Sequence, residues 1–170
     1  MNNVTLIGMP GSGKSTIGVI LAKALRYEFL DSDLLIQKQE KRKLSEIIAQ
    51  DGPERFKEIE NQVNADIRVT DTVIAPGGSV IYCEEAMEHL KSIGNIIYLK
   101  LSLESLSKRL GDLKGRGVLL KDGQTLKDLY EERVPLYEKY ADITIDEDGK
   151  DLDEGLRAIL EIIHIREQGK

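Results

Sequence analysis

The sequence predicts an α/β fold: one three-layer α/β/α domain over residues 1–170, built on a five-stranded parallel sheet. Three observations carry that expectation. Short apolar runs alternate with longer stretches of helical period, a glycine loop joins the first run to the first helical stretch, and 170 residues with 41% hydrophobic content suffice for one core.

Val4-Thr5-Leu6-Ile7 is an apolar run that stops at a glycine, which predicts a first strand over 4–7. A helix over 14–26 follows, with Ile17, Ile20, Leu21 and Leu25 on one side. The chain then needs only a short strand over 28–30 before it reaches Asp31. Helical patterns over 34–40, 45–50 and 53–68 precede an apolar strand over 73–75 and a helix over 84–92. The run 96–99 predicts the fourth strand, followed by a helix over 103–110. Residues 111–124 hold Gly111, Gly115, Gly117 and Gly123 among charges, the composition of a lid loop inserted between two helices. A helix over 126–140, a strand over 143–145 and a helix over 152–165 complete the chain, which contains no internal repeat.

Bulk composition narrows the partners. The net charge of −6 is spread over interspersed Lys, Arg, Asp and Glu, so the broad basic face that nucleic-acid binding needs is not expected. Cys83 is the only cysteine, which excludes an intrachain disulfide framework and a multi-cysteine metal site and suits a reducing compartment. No basic start, apolar signal core or membrane-length apolar run occurs, so the expectation is a cytoplasmic protein, a monomer, without nucleic-acid or membrane partners.

The segment Gly8-Met9-Pro10-Gly11-Ser12-Gly13-Lys14-Ser15-Thr16 carries the most specific chemistry. Glycines let the backbone curl until successive N–H groups face an anion, and the dipole of the helix that opens there adds positive potential. Gly11, Ser12, Gly13, Lys14, Ser15 and Thr16 are therefore expected to hold nucleotide phosphates. Lys14 would reach the β- and γ-phosphates of ATP, and the Ser15 hydroxyl would bind Mg²⁺. Asp31-Ser32-Asp33 falls at the carboxyl end of the second strand, where open parallel sheets bind ligands. Asp31 can hold Mg²⁺ through its water shell, and Asp33 can orient an acceptor hydroxyl and take its proton. Taken alone, this acidic pair reads equally well as a helix N-cap. Gly77-Gly78 after the third strand is either a plain turn or a place where a ligand approaches backbone.

These motifs, together with Asp51-Gly52-Pro53-Glu54-Arg55-Phe56-Lys57-Glu58-Ile59-Glu60 and Glu132-Arg133-Val134-Pro135-Leu136-Tyr137, resemble the shikimate kinases in order along most of the chain. The resemblance implies a nucleoside-monophosphate-kinase-like fold with a lid over 111–124 that closes on ATP and a small helical substrate-binding region over about 33–61. It implies that Asp33, Gly77 and Gly78 meet the acceptor and that Arg133 pairs with its carboxylate. Arg109 would lie against adenine, and Arg116 would close over the transferring phosphate. Four positions depart from the family pattern. Lys57 stands in place of a carboxylate-gripping arginine, Ser79 in place of the third glycine, Pro53 in place of an acidic residue, and Gly117 in place of a proline after the lid arginine. A lysine keeps the charge of an arginine and loses its planar fork, while Ser79 brings a side chain into the pocket, so Lys57 and Ser79 both bear on the acceptor.

Outside the resemblance, Arg133 and Lys57 read as ordinary helix charges and Glu60 as support for position 57. His89 and His164 have no partners at metal spacing, and Cys83 reads as a small packing residue. The expected activity is transfer of the ATP γ-phosphate to the 3-hydroxyl of shikimate, a small anionic substrate. Its rivals are a kinase of another hydroxy acid or sugar acid and a nucleotide-binding module without an acceptor.

Overall fold

A computed structural model of the chain describes residues 2–110 and 121–168. The strands are β1 (Asn3–Ile7), β2 (Glu28–Asp31), β3 (Thr72–Ala75), β4 (Gly94–Lys100) and β5 (Ile143–Asp146). They pair in the order β2-β3-β1-β4-β5, every pair parallel, as the apolar runs predict. The helices are α1 (Lys14–Leu25), α2 (Ser32–Glu40), α3 (Leu44–Ala65), α4 (Glu84–Ile93), α5 (Leu103–Leu110), α6 (Leu126–Tyr140) and α7 (Leu152–Gln168).

The period of two along each strand separates two cores. Val4, Leu6, Val73, Ile97 and Leu99 face Ile17, Leu21 and Ala22 of α1 and Ile159 of α7. Ile7, Ile74, Ile96 and Tyr98 face Ala86, Met87 and Leu90 of α4 and Leu129 and Tyr137 of α6. Helices therefore cover both faces of a buried parallel sheet, the arrangement that its β-α-β crossovers require. The carboxyl ends of β1, β2 and β3 converge at one rim.

A third, smaller core joins Ile36 of α2 to Ile47, Phe56, Ile59 and Val63 of α3. Gly52 interrupts α3 with φ +84° and ψ 165°, and Pro53 restarts it, so the separate helices expected over 45–50 and 53–68 are two arms of one kinked element. Arg42 closes the turn between α2 and α3 by pairing with Asp51 at 2.7 Å and Glu40 at 3.3 Å. The second arm stops at Ala65 rather than 68, and Arg68 caps it by donating to the Ala65 carbonyl at 2.7 Å. A 3-10 turn over Val80–Tyr82, absent from the sequence reading, carries the chain from the rim to α4. Residues 111–120, which include most of the expected lid with Arg116 and Gly117, lie outside the described residues. Its remainder, 121–124, forms a turn closed by a bond from the Gln124 N–H to the Lys121 carbonyl.

Candidate active site

A cleft of about 730 Å³ opens at the rim. The loop after β1 forms one wall, the start of α2 and the first arm of α3 form another, and the segment after β3 together with Arg133 of α6 forms the floor.

The loop from Gly8 to Gly13 turns on residues with positive φ, +80° at Gly11 and +91° at Gly13. A Cβ at Gly11 would lie 2.7 Å from Leu110 Cδ2, so both the conformation and the fit under α5 require glycine there. Gly13 is the N-cap of α1. It has no side chain to cap the helix, and the first turn carries no acidic residue, so the leading N–H groups keep their positive potential. Lys14 Nζ donates to the carbonyls of Gly8 and Met9 at 2.9 and 3.0 Å. Burial pushes its pKa down to about 8, and Arg133 pushes the same way against Asp33 and Asp31. This is an anion cradle with an ammonium held against its backbone.

Asp31 combines the two roles that sequence reasoning held as alternatives. Its Oδ1 caps α2, accepting from the N–H groups of Asp33 and Leu34 at 2.9 and 3.2 Å. Its Oδ2 faces Ser15 Oγ at 3.4 Å, so hydroxyl and carboxylate sit together beside the phosphate cradle. Asp33, two residues on in the first turn of α2, lines the same cleft. Burial raises its pKa to about 6, and the neighbouring Asp31 charge adds to the rise while Lys14 opposes it. A carboxylate in that range is ionised at neutral pH and still a competent proton acceptor.

On the floor, Tyr137 donates to the Gly78 carbonyl at 2.7 Å and stacks on Tyr98 at a ring separation of 5.1 Å. Both rings are buried and serve packing. Arg133, which reads as an ordinary helix charge, is 3% exposed. Its guanidinium lies 5.5 Å over the Tyr82 ring, and one terminal nitrogen would be 3.2 Å from a Cβ at Gly78. It enters no ion pair among the described residues, and its Nε has no hydrogen-bond partner. Such a cation is ready for an anionic ligand.

The structure thus brings Gly11, Gly13, Lys14, Ser15, Thr16, Asp31, Asp33, Gly77, Gly78, Ser79 and Arg133 around one cleft. Ser12 stays buried inside the loop. Arg109 stands beside it, 3.9 Å from the position of a Gly13 Cβ.

Lys57 departs from the expected position. It is exposed on the outer side of α3 and lines a separate depression with Glu54, Glu58, Asn61 and residues 82–85 and 88, so it does not converge with Arg133 on the cleft. The kink at Gly52 sets the phase of the second arm, and burying Phe56, Ile59 and Val63 turns position 57 outward. Sequence reasoning also missed Lys43. It lines the cleft from the N-cap of α3, where a lysine has no acceptor to offer the helix and no motif marks it. Cys83, the lone thiol at the N-cap of α4, is 2% exposed, and burial pushes its pKa up to about 12, in keeping with a packing role.

A family model described as shikimate kinase matches residues 10–164. A shikimate kinase of Clostridium botulinum (strain 657 / Type Ba4) is 40% identical over 144 residues, spanning 82% of this chain and 84% of its own length. Among solved structures, the shikimate kinase from Acinetobacter baumannii in complex with shikimate superposes with a TM-score of 0.87 at 31% identity, covering 98% of this chain and 94% of that one. The shikimate kinase from Aquifex aeolicus vf5 gives 0.85 at 32% identity, with 99% of both chains covered. With a phosphate cradle, an acidic pair and a buried arginine on one rim of a sheet that these structures share, the chain belongs to the shikimate kinase family.

Proposed function

We propose that the protein transfers the γ-phosphate of ATP to the 3-hydroxyl of shikimate. The observation that carries this reading is Arg133, a guanidinium 3% exposed and without an ion-pair partner among the described residues, lining the same cleft as Lys14 and Asp33. A cleft with a phosphate cradle at one end, a proton acceptor in the middle and a fixed cation at the other fits a hydroxylated carboxylate.

The loop N–H groups and Lys14 hold the phosphates, and Arg109 lies along the nucleotide at Gly13. Ser15 Oγ and Asp31 Oδ2, 3.4 Å apart, suit Mg²⁺, a hard cation that takes oxygen ligands and keeps several waters. Bound there, it would neutralise charge on the β- and γ-phosphates. Arg133 anchors the acceptor carboxylate, and Gly77 and Gly78 leave room for the ring against backbone. Asp33 accepts the hydroxyl proton as that oxygen bonds to the γ-phosphorus, and the bond to the bridging oxygen breaks to release ADP. Arg116, outside the described residues, is assigned to the charge on the transferring group from above. No helix among the described residues is long and apolar enough to cross a membrane.

The test is ADP release measured across a panel of shikimate, other hydroxy acids, sugar acids and uncharged polyols. Shikimate is expected to give the highest kcat/KM. A preference for uncharged alcohols would reject the carboxylate reading, and a preference for another hydroxy acid would reassign the acceptor while keeping the kinase.

A further inference from the structure

Glu60 is 1% exposed behind the cleft wall, in the second arm of α3. A carboxylate so placed needs a donor. Its donor is Ser79, whose Oγ lies 3.0 Å from Oε1 and 2.8 Å from Oε2. Lys57, one turn earlier on the same helix, faces the outer depression instead.

The contact reaches the cleft through a single glycine. A Cβ at Gly77 would lie 2.9 Å from Glu60 Oε1 and 2.8 Å from Asp33 Oδ1, so the two carboxylates pack against one side of the same backbone position. Glu60 and Asp33 are thus the nearest side chains on that side of Gly77, and no side chain at 77 would fit between them. The next residue, Gly78, is pinned from the far side by Tyr137 and backs onto Arg133.

We infer that Ser79 is a positioning residue of the acceptor site: its hydroxyl holds Glu60 against Gly77, and through Glu60 it sets the placement of Asp33 and the Gly77-Gly78 backbone. Ser79 is half-buried at the cleft surface and acts behind it. The hydroxyl gives Glu60 the partner that a cation at position 57 does not supply here, which links the two departures from the family pattern at 57 and 79. The role assigned to the cleft rests on the kinase reading, whereas the Ser79–Glu60 link stands on its own geometry.

Glu60 is faced by Ser79, by Asp33 of α2, by Cys83 at the start of α4 and by Arg133 and Tyr137 of α6. Burial raises its pKa to about 7 and the Asp33 charge adds to that, while the Ser79 bond and Arg133 oppose the rise.

The experiment follows the Glu60 carboxyl carbon by NMR through a pH titration, and measures acceptor and ATP kinetics, in the wild type, Ser79→Ala and Ser79→Thr. Ser79→Ala is expected to move the Glu60 midpoint upward and to raise the KM for shikimate about tenfold, the effect of one hydrogen bond to a charged group, with the KM for ATP within about twofold. Ser79→Thr, which keeps the hydroxyl, should restore both. An unmoved Glu60 midpoint in Ser79→Ala, an unchanged shikimate KM, or a failure of threonine to restore them overturns the inference. If the wild type does not phosphorylate shikimate, the NMR titration still decides the link, because a midpoint that moves in Ser79→Ala and returns in Ser79→Thr upholds it while the substrate assignment alone is rejected.

Discussion

On the nucleotide side of the cleft, contiguous residues from Gly8 to Thr16 build the site, largely from backbone N–H groups and one lysine. On the acceptor side, Asp33, Gly77, Ser79 and Arg133 arrive from separate stretches, on α2, after β3 and on α6, and every contact is made by a side chain or by the absence of one. The first half is fixed by local chain geometry. The second depends on tertiary packing: Arg133 is aimed by Tyr82 and the floor, and Glu60 is held by a hydroxyl 19 positions away. Damage to the cradle should therefore abolish chemistry with any acceptor, whereas damage to the acceptor side should act on one substrate and scale with burial.

The largest effect is expected at Lys14. Lys14→Met should lower kcat by roughly 10⁴-fold for every acceptor tested, since the charge on the transferring phosphoryl group loses its fixed cation. Circular dichroism should show an unchanged fold. Near-normal turnover in this variant would break the contrast between the halves at its strongest point.

Arg133→Ala comes next. It should cost about 2–5 kcal/mol in kcat/KM for shikimate by stranding the acceptor carboxylate, with the KM for ATP little changed. A loss shared equally between both substrates would mean that Arg133 supports the fold rather than the acceptor.

Glu60 offers a test without substrate. Its pKa is raised on folding, from an ordinary 4.5 to about 7, so between those values the unfolded chain binds fewer protons than the folded one and stability falls as pH rises. Asp33, raised to about 6, contributes with the same sign. Glu60→Gln removes the buried charge and should stabilise the protein by roughly 2–3 kcal/mol at pH 8, and by little at pH 4.5, in urea unfolding. Equal effects at both pH values would contradict the burial of an ionisable group.

Lys57→Ala should have the smallest consequence, a change under about threefold in the KM for shikimate, because an exposed lysine on the outer depression contributes little. A loss as large as that of Arg133→Ala would return Lys57 to the acceptor site, as the family pattern implies.

The same contrast explains what was legible in the sequence. Four of the five strands follow from apolar runs, most clearly the central β1 and β3, which have no polar face to confuse the pattern, whereas the edge strand β2, only partly buried, follows from the short stretch left between α1 and Asp31. The cradle follows from nine consecutive residues whose spacing states its own geometry. Asp31 and Asp33 follow because a strand's carboxyl end locates them, and the structure adds that Asp31 caps α2 while facing Ser15. The burial of Arg133 does not follow. Preceded by Glu131 and Glu132 it reads as a surface charge, and only packing against Tyr82 and Gly78 removes it from water. Resemblance alone assigns Lys57 to the acceptor, and the helical phase after Gly52 turns it away. The Ser79–Glu60 bond had no local signal, since a serine after two glycines and a glutamate in a charged helix are each unremarkable alone.

The most direct test of the central claim is ³¹P NMR of the protein incubated with ATP, Mg²⁺ and shikimate. The account expects one new phosphomonoester resonance growing in step with ADP, and no such signal when shikimate is omitted or Lys14 is replaced by methionine. ADP accompanied only by inorganic phosphate, or ATP left intact, would contradict it.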